Sequence, residues 1–190
     1  METREKILGL KREYGSIEEL IRNNPTEETE KAKELFKRYK IIQKKGVFTK
    51  DLLFEIAYWK SQRKAYLCKI NTKRVIIRTL NKISEINDER DKIKHLINNL
   101  WGVGVPVASA ILTIIDPKNY GLIDYKVWQI LYLYEQLDNK PKGRNLSVKD
   151  WLQYLELIHK LAQSLNVSAR TIDRTLFEYH KKLKEFCTKD

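Results

Sequence analysis

The stretch that most constrains this chain is Leu100-Trp101-Gly102-Val103-Gly104-Val105-Pro106-Val107-Ala108, followed by Asp124-Tyr125-Lys126-Val127-Trp128. Two glycines bracket a single apolar residue between two patterns of helical period, which describes a tight helix-to-helix turn. Glycine there lets the backbone take positive φ and lets a ligand come close. The N–H groups of Gly102, Gly104 and Val105 lead into a helix start, where unpaired donors and the helix dipole favour an anion such as a phosphate. Pro106 lacks an N–H, a loss the first helical turn tolerates.

The rest of the 190 residues is helical in pattern, with no convincing alternating strand. A first amphipathic piece runs from Lys6 to Tyr14 and breaks at Gly15. Ser16 with Glu19 has the spacing of a capping box opening residues 17–22. Asn23-Asn24-Pro25-Thr26 stops that helix and caps the next, placing Glu27 and Glu28 in its first turn and its end near Gly46. Thr49, Thr72, Asn87-Asp88, Ser147 and Ser168 open further helices, and Lys60-Ser61-Gln62-Arg63-Lys64 is a basic polar interruption. Residues 116–121 and 138–146 read as loops, the second carrying Lys140, Lys142 and Arg144. Roughly ten helices and no sheet make an all-α fold, one compact domain spanning residues 1–190.

The composition narrows the function. Lys and Arg number 37 against 25 Asp and Glu, a formal net charge of +12 that draws polyanions, nucleic acid first among them. No stretch approaches the roughly 20 apolar residues that span a bilayer, and Met1-Glu2-Thr3-Arg4-Glu5-Lys6 is too charged for a signal peptide. Two cysteines, Cys68 and Cys187, are too few for a disulfide framework or a four-cysteine iron–sulfur cluster. His95, His159 and His180 stand singly without metal-site spacing, so no metal site is read. A cytoplasmic, prokaryotic, nucleoid-associated protein is the expectation.

The residues Leu100-x-Gly102-Val103-Gly104-x3-Ala108, then an apolar helix, then Ile123-Asp124-x2-Val127, resemble the helix-hairpin-helix DNA glycosylases typified by endonuclease III. Their pattern is L-P-G-V-G-x-x-x-A followed by V-D-T-H-V. Asp124 lies 24 positions after Leu100, the separation found in endonuclease III. The resemblance is sharp over residues 96–131 and diffuse over 49–70 and 169–179. It implies two helical lobes with the cleft between them, the hairpin at about residues 90–115, and a base flipped into that cleft. The implied partner is double-stranded DNA, bound by a monomer, and no cofactor is implied beyond a monovalent cation at the hairpin.

The resemblance makes Asp124 the catalytic carboxylate for hydrolysis of the N-glycosidic bond in base excision repair. Breaking that bond builds positive charge on the deoxyribose, which a fixed carboxylate stabilises, or the carboxylate deprotonates an attacking water. The same aspartate also reads as an ordinary helix N-cap, in which case the chain is a non-catalytic helix-hairpin-helix DNA-binding protein. Bifunctional members carry a lysine two positions after the second hairpin glycine, where it forms a Schiff base. Pro106 occupies that position here, so base release without strand cleavage is expected, with Lys126 as a substitute amine or a phosphate contact.

Gly102, Val103, Gly104, Val105 and Lys126 are the expected contacts to the DNA backbone. Gln62 and Arg63 fall where related enzymes carry a wedge into the space left by the flipped base; a plain polar link is the other reading. Trp59, Trp101, Tyr125 and Trp128 are base-pocket candidates, although aromatics at helical spacing also build cores. In Arg170-Thr171-Ile172-Asp173-Arg174, Asp173 and Arg174 read as a surface ion pair, or as a brace to the first lobe or a pocket wall.

Overall fold

The computed structural model describes residues 3–45 and 48–187. Its described residues form ten α-helices and one 3-10 helix, and no strand. In order, the helices are α1 (Arg4–Leu8), α2 (Ile17–Asn23), α3 (Glu30–Lys45), α4 (Lys50–Lys60), the 3-10 helix (Gln62–Ile70), α5 (Lys73–Ile83), α6 (Glu89–Asn99), α7 (Val105–Ile115), α8 (Tyr125–Leu133), α9 (Val148–Leu165) and α10 (Ala169–Cys187).

Two short helices sit at the centre. In α7 every residue from Val107 to Ile114 is buried, as expected of a helix apolar on all sides. It packs against α3, α4 and α6. In α8, Val127, Trp128 and Ile130 to Leu133 are buried, with α1 and α10 packed on it. Trp128 is therefore core, its indole N–H donating to the Asn139 carbonyl at 3.3 Å. It is not a base-pocket residue, because α8 is covered on more faces than an amphipathic helix would be.

The expected caps hold α4, α5, α6, α9 and α10. Side chains of Thr49, Thr72, Asp88, Ser147 and Ser168 each accept a backbone N–H from three residues on. Ser147 and Asp150 form a reciprocal capping box. Ser16 accepts from Glu19, while Glu19 reaches back to the N–H of Gly15 rather than of Ser16.

Three boundaries differ from the sequence reading, and the first is the polar interruption expected over residues 60–64, which shrinks to Ser61 because α4 runs through Lys60 and the 3-10 helix begins at Gln62. Helix α1 ends at Leu8 because Gly9 takes φ 61° as a left-handed cap, and the chain beyond it is held from outside. Arg4 and Arg12 donate to the carbonyls of Tyr132 and Leu133, tying the N-terminal segment to the end of α8. Helix α3 starts at Glu30, with Thr29 accepting from the Ala32 N–H, so Glu27 and Glu28 precede it. Its expected end near Gly46 lies outside the described residues. No helix of the described residues is long and apolar enough to cross a membrane.

Candidate active site

The hairpin forms where it was expected, between α6 and α7, and its two glycines serve different ends. Gly102 takes φ 77°, and an added Cβ would stand 2.8 Å from the Cys68 backbone nitrogen. It is required by conformation and by packing on the 3-10 helix. Gly104 is extended, and a Cβ there would meet only Pro106 Cδ at 4.0 Å. Nothing in the chain requires a missing side chain at Gly104, which leaves room for something outside the chain. Val103 is buried in the turn. Val105 begins α7, so the expected helix start follows Gly104 directly.

Asn71 clamps this turn. Its side-chain amide donates to the Trp101 carbonyl at 2.9 Å and its oxygen accepts the Trp101 N–H at 2.8 Å. Sequence reasoning missed Asn71, whose partner is 30 positions away. Beside it Cys68 is free and buried, and burial pushes its thiol up to about 11, leaving it protonated and unreactive.

Asp124 is positioned by the segment that precedes it. Gly121 passes so close to α9 and α10 that a Cβ would lie 2.5 Å from Tyr154 Oη and 3.0 Å from Asp173 Cβ. The buried N–H of Ile123 donates to Ser109 Oγ on α7 at 3.2 Å. The second hairpin helix thus fixes the residue before the aspartate. Asp124 then caps α8, Oδ1 accepting the Lys126 N–H at 2.9 Å.

Its other oxygen is directed elsewhere. Lys60, at the end of α4, donates from Nζ to Asp124 Oδ2 at 2.5 Å. The Lys60 side chain is only 7% exposed and that of Asp124 16%. The two side chains stand between two spaces. On one side lies a cleft of about 930 Å³ lined by Gly102, Gly104, Pro106 and Val107 of the hairpin, by Lys64, and by Lys142 and Arg144 of the loop after α8. On the other is a recess of about 180 Å³ lined by Trp59, Leu122, Arg170, Asp173, Arg174 and Phe177. Among the described residues, Lys60 and Asp124 alone border both. Gly143 (φ 60°) lets the basic loop lie on Tyr125, where a Cβ would come within 2.9 Å of the backbone. Lys140 serves as that loop's anchor, bound to Asp150 at 2.5 Å.

A buried ion cluster forms the far wall. Arg170 binds Glu28 through two nitrogens, at 2.7 and 2.8 Å, and also binds Asp173. Its guanidinium lies 5.2 Å from the Trp59 ring centroid. Asp173 is 1% exposed, so it is no surface ion pair, and its partner is Arg170 rather than Arg174. Burial pushes the Asp173 carboxyl up, against the pull of Arg170 and of the Leu122 backbone N–H. For Glu28 burial also pushes upward, but the Arg170 bonds prevail and hold its carboxyl below the usual value.

The remaining expectations divide. Trp59 lines the recess and Tyr125 lines the cleft. Trp101 is 69% exposed at the hairpin and is not among the residues lining the recess. Gln62 and Arg63 are exposed on the 3-10 helix, while their neighbours Ser61 and Lys64 line the cleft. Lys126 Nζ lies 4.5 Å from the Phe177 ring centroid on α10, and Lys126 lines neither space. No group of His, Cys, Asp and Glu that could hold a metal ion occurs among the described residues.

The described residues thus bring a glycine-cornered hairpin, a basic cleft and a recessed aspartate together on an all-helical scaffold. Over 95 residues, half of this chain, the sequence is 30% identical to an 8-oxoguanine DNA glycosylase/AP lyase of Korarchaeum cryptofilum. That match spans 44% of the relative's length, so the chain matches less than half of it. Among solved structures, the chain is similar to the Methanocaldococcus jannaschii 8-oxoguanine glycosylase/lyase in complex with a 15mer DNA containing 8-oxoguanine. That likeness has a TM-score of 0.51 at 16% identity and covers 88% of this chain and 83% of the other. No protein-family model matches.

Proposed function

We propose that this chain is a DNA glycosylase of base excision repair, cleaving the N-glycosidic bond of a damaged base flipped out of duplex DNA. The observation that carries this reading is the position of Asp124, between a basic cleft and a side recess. Duplex lies in the cleft, its phosphates near the hairpin, Lys64, Lys142 and Arg144. The extruded base enters the recess beside Trp59, and its C1′ comes opposite the carboxylate. Such an arrangement stabilises an oxocarbenium-like centre only after the nucleotide has left the stack. The two similar proteins are named for 8-oxoguanine, which makes that oxidised purine the first candidate lesion.

The non-catalytic alternative draws on the cap that Asp124 gives α8, which occupies Oδ1. Under that reading the bond from Lys60 to Oδ2 is a structural tie between α4 and α8. Pro106 removes the amine from the hairpin position, so an imine cannot form there.

The test is base release from a panel of duplexes carrying 8-oxoguanine, other oxidised bases, alkylated bases, uracil and mismatches. Release from at least one substrate is expected. Binding to the panel with no base released from any member would overturn the enzyme reading in favour of the DNA-binding one.

A further inference from the structure

We propose that Lys60 is the nucleophile of this enzyme, an amine supplied by α4 in place of the one the hairpin lacks. The inference rests on the glycosylase reading and extends its chemistry to strand cleavage. Its basis is geometric. Lys60 Nζ is 2.5 Å from Asp124 Oδ2, and these are the two side chains that border both the cleft and the recess. A C1′ placed for attack beside Asp124 is therefore equally within reach of the amine. Lys126, two positions after the aspartate, lies instead on the Phe177 ring. The expectation of base release alone rests on Pro106, which removes the amine from the hairpin but not the one on α4, 64 positions upstream of Asp124.

The chemistry balances without an oxidant or a metal. Lys60 passes one proton to Asp124 across their hydrogen bond, leaving a lone pair on Nζ. That pair forms a bond to C1′ while the C1′–N bond breaks, and the base departs with its electrons and takes the proton held by Asp124. The sugar ring then opens as the C1′–O4′ bond breaks, O4′ taking a proton from the bound nitrogen to leave an iminium. Asp124, ionised again once the departing base has taken its proton, accepts a C2′ proton, and the C2′–C3′ double bond forms as the 3′-phosphate leaves with the C3′–O pair. Water adds at C1′ and frees the lysine. On DNA that already carries an abasic aldehyde, the amine adds to C1′ directly and water leaves.

A purely structural ion pair between α4 and α8 would have the same geometry, and Lys60→Arg separates the two. Arginine keeps the positive charge against Asp124 but is not a nucleophile. The experiment incubates wild type and Lys60→Arg with a duplex containing a preformed abasic site, in the presence of borohydride. Affinity for a duplex with a reduced abasic analogue, and the melting temperature, are measured on the same preparations.

The expected result is a covalent adduct with wild type that peptide mapping assigns to Lys60. In Lys60→Arg the adduct falls to background while fold and affinity persist. An adduct on another lysine or on the terminal amine would overturn the proposal. So would an adduct undiminished in Lys60→Arg, or no adduct from wild type that binds the duplex. The abasic substrate keeps this test apart from the glycosylase reading. An adduct at Lys60 with no base released from the lesion panel sinks that reading and leaves Lys60 as an abasic-site lyase. Base release without an adduct does the reverse.

Discussion

Asp124 and Asp173 line the same recess, one from the start of α8 and the other from α10, and their surroundings differ. Asp124 gives one oxygen to its helix cap and the other to the amine of Lys60, at the junction with an open basic cleft. Asp173 is sealed, paired with an Arg170 that also grips Glu28 from before α3. Burial and a charged partner are common to both. The difference is exposure: the Asp124 side chain is 16% exposed and borders the cleft as well as the recess, whereas that of Asp173 is 1% exposed, borders the recess alone and fastens α10 to the segments around it. A buried charged partner marks a functional acid only where a reacting atom can come to it.

That contrast can be broken first at the sealed pair, where the largest stability effect is expected. Arg170→Met leaves Asp173 and Glu28 buried without their cation, and should cost about 3–5 kcal/mol in urea unfolding. A change near zero would make the cluster peripheral and weaken the distinction. Next comes the strut beneath Asp124. Ser109→Ala strands the buried Ile123 N–H, which should cost about 1–3 kcal/mol and slow base release more than the stability loss accounts for. Stability lost with unchanged single-turnover rate would mean that Ser109 holds the core and not the acid.

A smaller effect is expected at the hairpin, which touches phosphate rather than base. Gly104→Leu should weaken binding by about tenfold on damaged and undamaged duplex alike, as a backbone contact does. Affinity of the wild type should fall with salt, the logarithmic slope steepening by about 0.9 for each phosphate neutralised. A flat salt titration would contradict the basic cleft.

The smallest effect is acid sensitivity. Glu28, held below its usual value by Arg170, contributes stability that is present above about pH 4.3 and lost as pH falls through its folded value. Asp173, pushed up by burial, has the opposite sign: its contribution is present at low pH and lost as pH rises through its folded value. Glu28→Gln should flatten the acid limb of the stability curve, and an unchanged limb would assign it to other carboxylates.

What could be read beforehand was what is local in the chain. The hairpin, the caps at Thr49, Thr72, Asp88, Ser147 and Ser168, and the spacing to Asp124 are each set by a few neighbouring residues, and they stand in the structure. The long-range partners were not legible. Lys60 reads as part of a polar interruption because its partner is 64 positions away, and Asp173 reads as half of a surface pair with Arg174 because the Arg170 beside it is fixed by Glu28, 142 positions away. Gly121 carried no mark beyond its loop, since its close approach to Tyr154 and Asp173 exists only once α9 and α10 are packed. Trp128 was ambiguous for the opposite reason. A tryptophan four residues after the acid suits a pocket or a core equally, and only the packing of α1 and α10 on α8 decides for the core.

The most direct test compares wild type with Asp124→Asn on one lesion-containing duplex, measuring single-turnover base release and duplex affinity on the same samples. Asparagine caps a helix as well as aspartate does, so its one amide oxygen keeps the Lys126 N–H bond while its NH2 group faces Lys60, and the melting temperature of the variant, measured on the same samples, reports that the fold is kept. The account predicts that release falls by at least about 100-fold while affinity holds. Release at the wild-type rate would contradict it, because Asp124 would then be a cap and nothing more.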